Sequence, residues 1–177
     1  TDDQLLSKNY KLNKDLDLEG VKFEPIGSLE HPFTGKFYGE KHSIKNLTIE
    51  KDKDTKGVGF FAAIKGSTVK DLNIENAKIK GGAVIGVLVG EAQVDAAAGK
   101  NNLIAHCKVS GTVEAKGERV IKASDAGGLA GAAQEKTDPN TYDYATTTIF
   151  DSHADVKVTA DTGANDKATS GHVGGLV

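Results

Sequence analysis

The segment Asp151-Ser152-His153-Ala154-Asp155 places three potential metal ligands at alternate positions, and on a straight strand alternate side chains share one face. Two carboxylates around an imidazole could hold zinc if a further group converged on the same point. Aligned with earlier segments of similar pattern, Asp151 falls above His106 and Asp71, and His153 above Lys108 and Asn73. That alignment turns Ser152 and Ala154 inward and leaves a ladder of polar side chains on an exposed face. Ligands spaced along a line do not surround an ion, so neither a metal nor a cofactor is expected.

Other chemical candidates fail on their own spacing. Asp52-Lys53-Asp54-Thr55-Lys56-Gly57 begins like a calcium loop, which wants an oxygen ligand at its fifth position and Glu at its twelfth. Lys56 and Ala63 stand there, so the segment reads as a charged turn. Gly86 to Gly90 and Gly127 to Gly131 are not phosphate cradles, because no Lys-Ser/Thr follows and no helix opens after them. Cys107, the chain's one cysteine, aligns with Leu47 and Leu72 at an interior position and reads as an inert buried thiol. No His-Glu-x-x-His occurs. Acids such as Asp15 and Asp17 pair along the chain, yet Arg119 is the sole arginine and lies in a loop-like segment. The chain therefore reads as non-catalytic.

Two motifs alternate along the chain and define the elements that must carry these residues. One is an Ile/Val with apolar or small residues three and five positions on: Ile44-Leu47-Ile49, Val69-Leu72-Ile74, Ile104-Cys107-Val109 and Ile149-Ser152-Ala154. The other is a glycine flanked by apolar residues, at Gly59, Gly86, Gly127 and Gly174. Strand spacing is kept while the connections 91–103 and 132–148 lengthen, and helical period is confined to residues 2–6. Units of this size cannot bury their own apolar face and must stack on one another. The expected fold is all-β, a parallel β-helix (β-solenoid) of about four rungs, with equivalent residues ~4.8 Å apart along its axis. Leu47, Leu72, Cys107 and Ser152 would form one interior column, and Ile49, Ile74, Val109 and Ala154 another. Phe60 and Phe61 would fill a wider first rung, and the four glycines would serve tight corners.

Composition limits what such a fold could do. The chain has 177 residues, 21 Gly, no Met, no Trp and a formal charge of −3. A basic nucleic-acid footprint is absent and no apolar run is long enough for membrane insertion. The length suits one domain, 1–177, read as excised from a longer protein. The long connections 91–103 and 132–148 would lie side by side, and Tyr142 and Tyr144 are their only aromatics. Tyrosine suits a contact surface, which makes these two the candidate ligand-binding residues.

Several segments resemble a known family. Tyr10-Lys11-Leu12, Asp15-Leu16-Asp17-Leu18, Pro25-Ile26-Gly27, Phe33-Thr34-Gly35-Lys36-Phe37-Tyr38-Gly39 and His42-Ser43-Ile44-Lys45-Asn46-Leu47-Thr48-Ile49 are similar to the opening module of GLUG-repeat bacterial surface proteins. Gly86-Val87-Leu88-Val89-Gly90 and Gly127-Gly128-Leu129-Ala130-Gly131 resemble the GLUG motif itself. The resemblance divides the chain into an opening module, 1–50, and GLUG-type rungs, 51–177. It implies a right-handed β-helix in a secreted or cell-surface-attached bacterial protein. The leading expectation is an adhesin-like segment that binds a host or extracellular-matrix protein or glycan, with end-to-end contacts at a truncated C-terminal rung. The alternatives are the accessory N-terminal region of an immunoglobulin-A-cleaving zinc metallopeptidase and a polysaccharide-active β-helix enzyme.

Overall fold

Short runs of β-branched residues alternating with polar ones expose too much backbone and apolar surface to be stable singly, so they pair. In a computed structural model of the protein, residues 3–96, 98–116, 125–133, 136–137, 144–161 and 172–174 are described. Among them a single helical turn, Asp3–Leu6, precedes the strands. Four sheets are parallel. Sheet I orders Tyr10–Lys11, Lys36–Tyr38, Thr68–Lys70, Asn102–Ala105 and Thr147–Phe150. Sheet II contains Leu16–Asp17, then Ser43–Lys45 with Thr48–Glu50, then Asn73–Gly81, Lys108–Lys116 and His153–Asp161. Lys56–Val58, Ala83–Ile85, Asp125–Gly127 and His172–Gly174 make sheet III, and Phe61–Lys65, Val89–Gln93 and Ala130–Ala133 make sheet IV.

The chain visits the sheets in the order I, II, III, IV, and each strand pairs with its counterpart one pass later. Parallel neighbours need a long connection that leaves the sheet and returns, and the remainder of the pass supplies it. In the first pass the bridges Ile26↔Phe61 and Phe33↔Ile64 stand where sheet IV would have a strand. An antiparallel pair, Lys136–Thr137 with Tyr144–Ala145, is the exception to the parallel pattern. The architecture is thus all-β with parallel sheets.

Register lines the interior with columns of like side chains. Leu16, Ile44, Ile74, Val109 and Ala154 are successive partners, and so are Ile49, Ile79, Val113 and Val158. Leu72, Cys107 and Ser152 precede the paired residues Asn73, Lys108 and His153 and form the expected column. Leu47 and Ile49 do not join Leu72 and Ile74 as expected. Thr48 pairs with Lys78, so Leu47 faces Ala77 and Ile49 faces Ile79. The cause is a pattern that repeats inside one pass. In Val69-Leu72-Ile74-Ala77-Ile79 the apolar spacing recurs every five residues, so a five-residue slip preserves it. Backbone pairing sets the frame instead, with Phe37 opposite Val69. Leu47, Ile49, Leu72, Ile74, Cys107 and Val109 are buried, and Ser152 and Ala154 are half-buried.

Phe60 and Phe61 are buried as expected but belong to the second pass, beside the Ile26 and Phe33 of the first. Their rings meet edge to face with centroids 5.0 Å apart, while Phe33 lies 4.9 Å from Phe61 and Phe23 stacks on Phe60 at 5.2 Å. Ring pairs in these geometries add to the burial of their area.

The motif glycines stand at the corners between sheets III and IV, as expected, and space explains why they are glycine. Gly59, Gly86, Gly127 and Gly174 stack in register across sheet III. None of Gly59, Gly86 and Gly127 has a positive φ, so corner conformation is not what requires glycine there. A Cβ on Gly59 would lie 2.8 Å from the Gly86 carbonyl oxygen, and one on Gly86 would lie 2.6 Å from the Val89 carbonyl oxygen of its own corner and 2.7 Å from the Gly131 nitrogen of the next pass. Close approach of backbone, within the corner and between successive passes, is the requirement.

Candidate functional site

Chemistry-bearing residues gather at the turn from sheet I to sheet II. Asp71, His106 and Asp151 occupy that turn in successive passes, with φ of 55°, 54° and 41°, and in the pass before them Glu40 and Lys41 are both left-handed, at 53° and 65°. The left-handed conformation costs a side-chain-bearing residue energy that glycine would not incur, with Asp, Asn and His the most tolerant. The turn throws their side chains outward beside the first residues of sheet II. His106 Nδ1 stands 3.3 Å from Asp71 Oδ1, and its Nε2 3.8 Å from Asp151 Oδ2. Asn73 donates from Nδ2 to the Lys41 carbonyl oxygen at 3.2 Å. With Lys108 these residues line a shallow depression.

The cross-strand stack of Asp71, His106 and Asp151 therefore forms as the sequence indicated, and His153 pairs with Lys108 beside it. The expectation that Asp151, His153 and Asp155 share one strand face is corrected. The backbone turns at Asp151, so its carboxylate sits at the corner while His153 and Asp155 follow along sheet II. The two carboxylates approach opposite nitrogens of the imidazole, a chain of pairs in place of a convergent shell. Among the described residues no group of three or more His, Cys, Asp or Glu could hold a metal ion.

The other candidates resolve into structural roles. Burial pushes the Cys107 thiol up to about 11, and its Sγ contacts the Ala105 carbonyl oxygen at 3.4 Å. Thr55 N–H donates to the Asp52 carbonyl at 3.0 Å, closing the charged turn before Lys56–Val58. Asp15 accepts from Ser43 N–H at 3.0 Å and lies 3.1 Å from His42 Nδ1, and these contacts hold its carboxyl below the usual range. Asp17 accepts from Asn46 Nδ2 at 2.8 Å and from Glu19 N–H, with the same result. Asn46 in turn accepts from Asn76 Nδ2 at 2.7 Å, so a polar ladder runs up the second corner.

The two long connections do meet. Ala145 is buried in a small cluster with Val94 and Ala96, Asn102 N–H donates to the Thr146 carbonyl, and Thr146 N–H donates to Asn101 Oδ1. Both are shorter than the sequence indicated. Glu91 and Gln93 belong to sheet IV, and Asn102 and Thr147 to sheet I, where Asn102 Nδ2 donates to Thr147 Oγ1 at 3.1 Å. Buried Asn102 also accepts from Ser67 N–H, so polar residues that look like loop form a satisfied internal column. Tyr144 lies in the antiparallel pair, opposite Thr137. Tyr142 and Arg119 fall outside the described residues. Phe150, Lys41 and Asn73 were not legible as one group, although the alternation Ile149-Phe150 does mark Phe150 as outward-facing.

No protein-family model matches the chain, and no solved structure does. One curated protein, Halomucin of Haloquadratum walsbyi (strain DSM 16790 / HBSQ001), is 31% identical over 98 residues, covering 48% of this chain and 1% of its own length. About half of the chain thus resembles a very small part of a very long protein. Among the described residues no helix is long and apolar enough to cross a membrane.

Proposed function

We propose that this chain is a non-catalytic segment of a right-handed parallel β-helix in an exported bacterial surface protein of the GLUG-repeat kind, extracellular or attached to the cell surface. Its work is presentation: stacked rungs hold the connections after sheet IV at fixed positions, where together they bind a host or matrix protein or glycan. The observation that supports this reading is the packing of Ala145 against Val94 and Ala96, which brings together the described ends of connections from consecutive passes.

The test is to replace residues 138–143 by a two-residue turn, leaving Ala145 and the start of Thr147–Phe150 in place. Binding to surfaces coated with collagen, fibronectin or mucin is then compared with that of the unaltered chain. Binding by the unaltered chain and its loss in the shortened one, at unchanged circular dichroism, is the expected result. Equal binding by both would remove the recognition role from this loop.

A further inference from the structure

The corner depression has features that packing does not require. In a chain with 21 glycines, the left-handed position of this turn is filled in three successive passes by Asp71, His106 and Asp151, and in the pass before them by Glu40 and Lys41 together. Glycine would adopt that conformation without strain, so side chains are retained there at a cost. Beside them Phe150 is 58% exposed, its ring edge-on to His106 with centroids 5.6 Å apart. The other exposed large apolar residues among those described, Leu5, Tyr10 and Val21, all lie at the N-terminal end of the chain. A lone solvent-facing aromatic next to a polar depression of ≈ 560 Å³ combines an apolar platform with fixed donors and acceptors.

We propose that this depression binds a neutral glycan. The C–H face of a pyranose ring lies on Phe150, the carboxylates of Asp71 and Asp151 accept from its hydroxyls, and Asn73 and Lys108 add further polar contacts. The charges decide the class of sugar. Among the residues that line the depression Lys41 and Lys108 only match Asp71 and Asp151, and Glu40 adds a further carboxylate at the same turn. A uronate or sulfated chain would meet these carboxylates without a surplus of cations, and so would a nucleic acid. Equivalent residues recur with the strand spacing of ~4.8 Å, which lets an extended polymer run along the corner and touch several passes at once. The site is separate from the loop surface proposed above and does not depend on it.

The experiment is affinity electrophoresis of the 177-residue chain through gels containing galactomannan, xyloglucan or laminarin, with polygalacturonate as the charged comparison. At least one neutral polymer should retard the protein, and Phe150→Ala and Asp71→Asn should each weaken that retardation about tenfold. Phe150 is exposed and Asn tolerates the left-handed conformation, so both variants should melt like the parent. The variant shortened at 138–143 should keep full retardation, which separates this site from the loop surface. Retardation by polygalacturonate alone, by none of the polymers, or unchanged in Phe150→Ala would overturn the proposal. So would loss of collagen or fibronectin binding in the two point variants without any effect on glycan, which would assign the corner to a protein partner. Release of new reducing ends from a retarding polymer would replace binding by hydrolysis.

Discussion

Gly111 marks the place where one residue decides the path of the backbone. Sheet II carries an extra residue at Asn76, left-handed at φ 54°, and the register shifts there against Val109 and Gly111. Gly111 absorbs the shift at φ 137°, and a Cβ on it would stand 2.0 Å from the Ala77 carbonyl oxygen. Gly111→Ala should therefore cost about 3 kcal/mol or more in urea unfolding. Gly99→Ala, at φ 60° with nothing within 4 Å of the new Cβ, should cost only about 1 kcal/mol. Equal losses would mean that conformation alone, and not backbone contact, governs both. Cys107 gives a second residue-scale expectation. Burial raises its pKa to about 11, so at pH 8 a disulfide reagent should label it only as fast as the surrounding structure opens. Rapid labelling of the folded chain would contradict the column in which it is placed.

Among elements, the short strand Leu16–Asp17 depends on two carboxylates. Ser43 N–H and His42 lower the pKa of Asp15, and Asn46 and Glu19 N–H lower that of Asp17. A folded pKa below the unfolded value gives stability that is present above the usual carboxylate range and lost as pH falls through the depressed value. Below about pH 4 the pairing of Leu16 with Ile44 should therefore loosen before the rest. Protection of the Leu18 amide, whose N–H donates to the Lys45 carbonyl, should fall there in the parent, and should be low already at neutral pH in Asp15→Asn with Asp17→Asn. Protection that ignores both pH and substitution would show that backbone pairing alone holds this strand. Element identity was legible in the sequence because two-residue alternation and recurrent glycines survive in every pass. Register was not legible where the Ile44-Leu47-Ile49 spacing matches its neighbour after a slip of five, since pattern cannot separate frames that bury the same residue types. Loop ends were misjudged for a related reason. Glu91, Asn102 and Thr147 are polar, yet their backbones sit in sheets, and Asn102 is buried with its hydrogen bonds made inside. Of the candidate site, the stack of Asp71, His106 and Asp151 could be read from alignment, whereas Lys41 belonged to a pass whose frame was shifted.

At the scale of the whole molecule, stability should be graded along the stack. Each pass touches chiefly its two neighbours, so its local stability is the sum of its own burial and two interfaces. The side chains that supply this burial shrink along the chain: Leu72 gives way to Cys107 and Ser152, Ile74 to Val109 and Ala154, and Ile79 to Val113 and Val158. Each buried methylene lost removes about 0.8 kcal/mol of apolar transfer. The aromatic cluster of Phe33, Phe37, Phe60 and Phe61 sits at the other end, where Phe37 lies edge-on to Phe61 at 5.6 Å. Native-state hydrogen exchange should therefore show the slowest amides in Asn73–Gly81 and faster ones in His153–Asp161, with Lys108–Lys116 between them. Ile79→Ala should raise exchange in the first two of these strands, whereas Val158→Ala should leave Asn73–Gly81 protected. If all three strands exchange at one rate and both substitutions raise it equally, the stack unfolds as a single cooperative unit and the nearest-neighbour account fails.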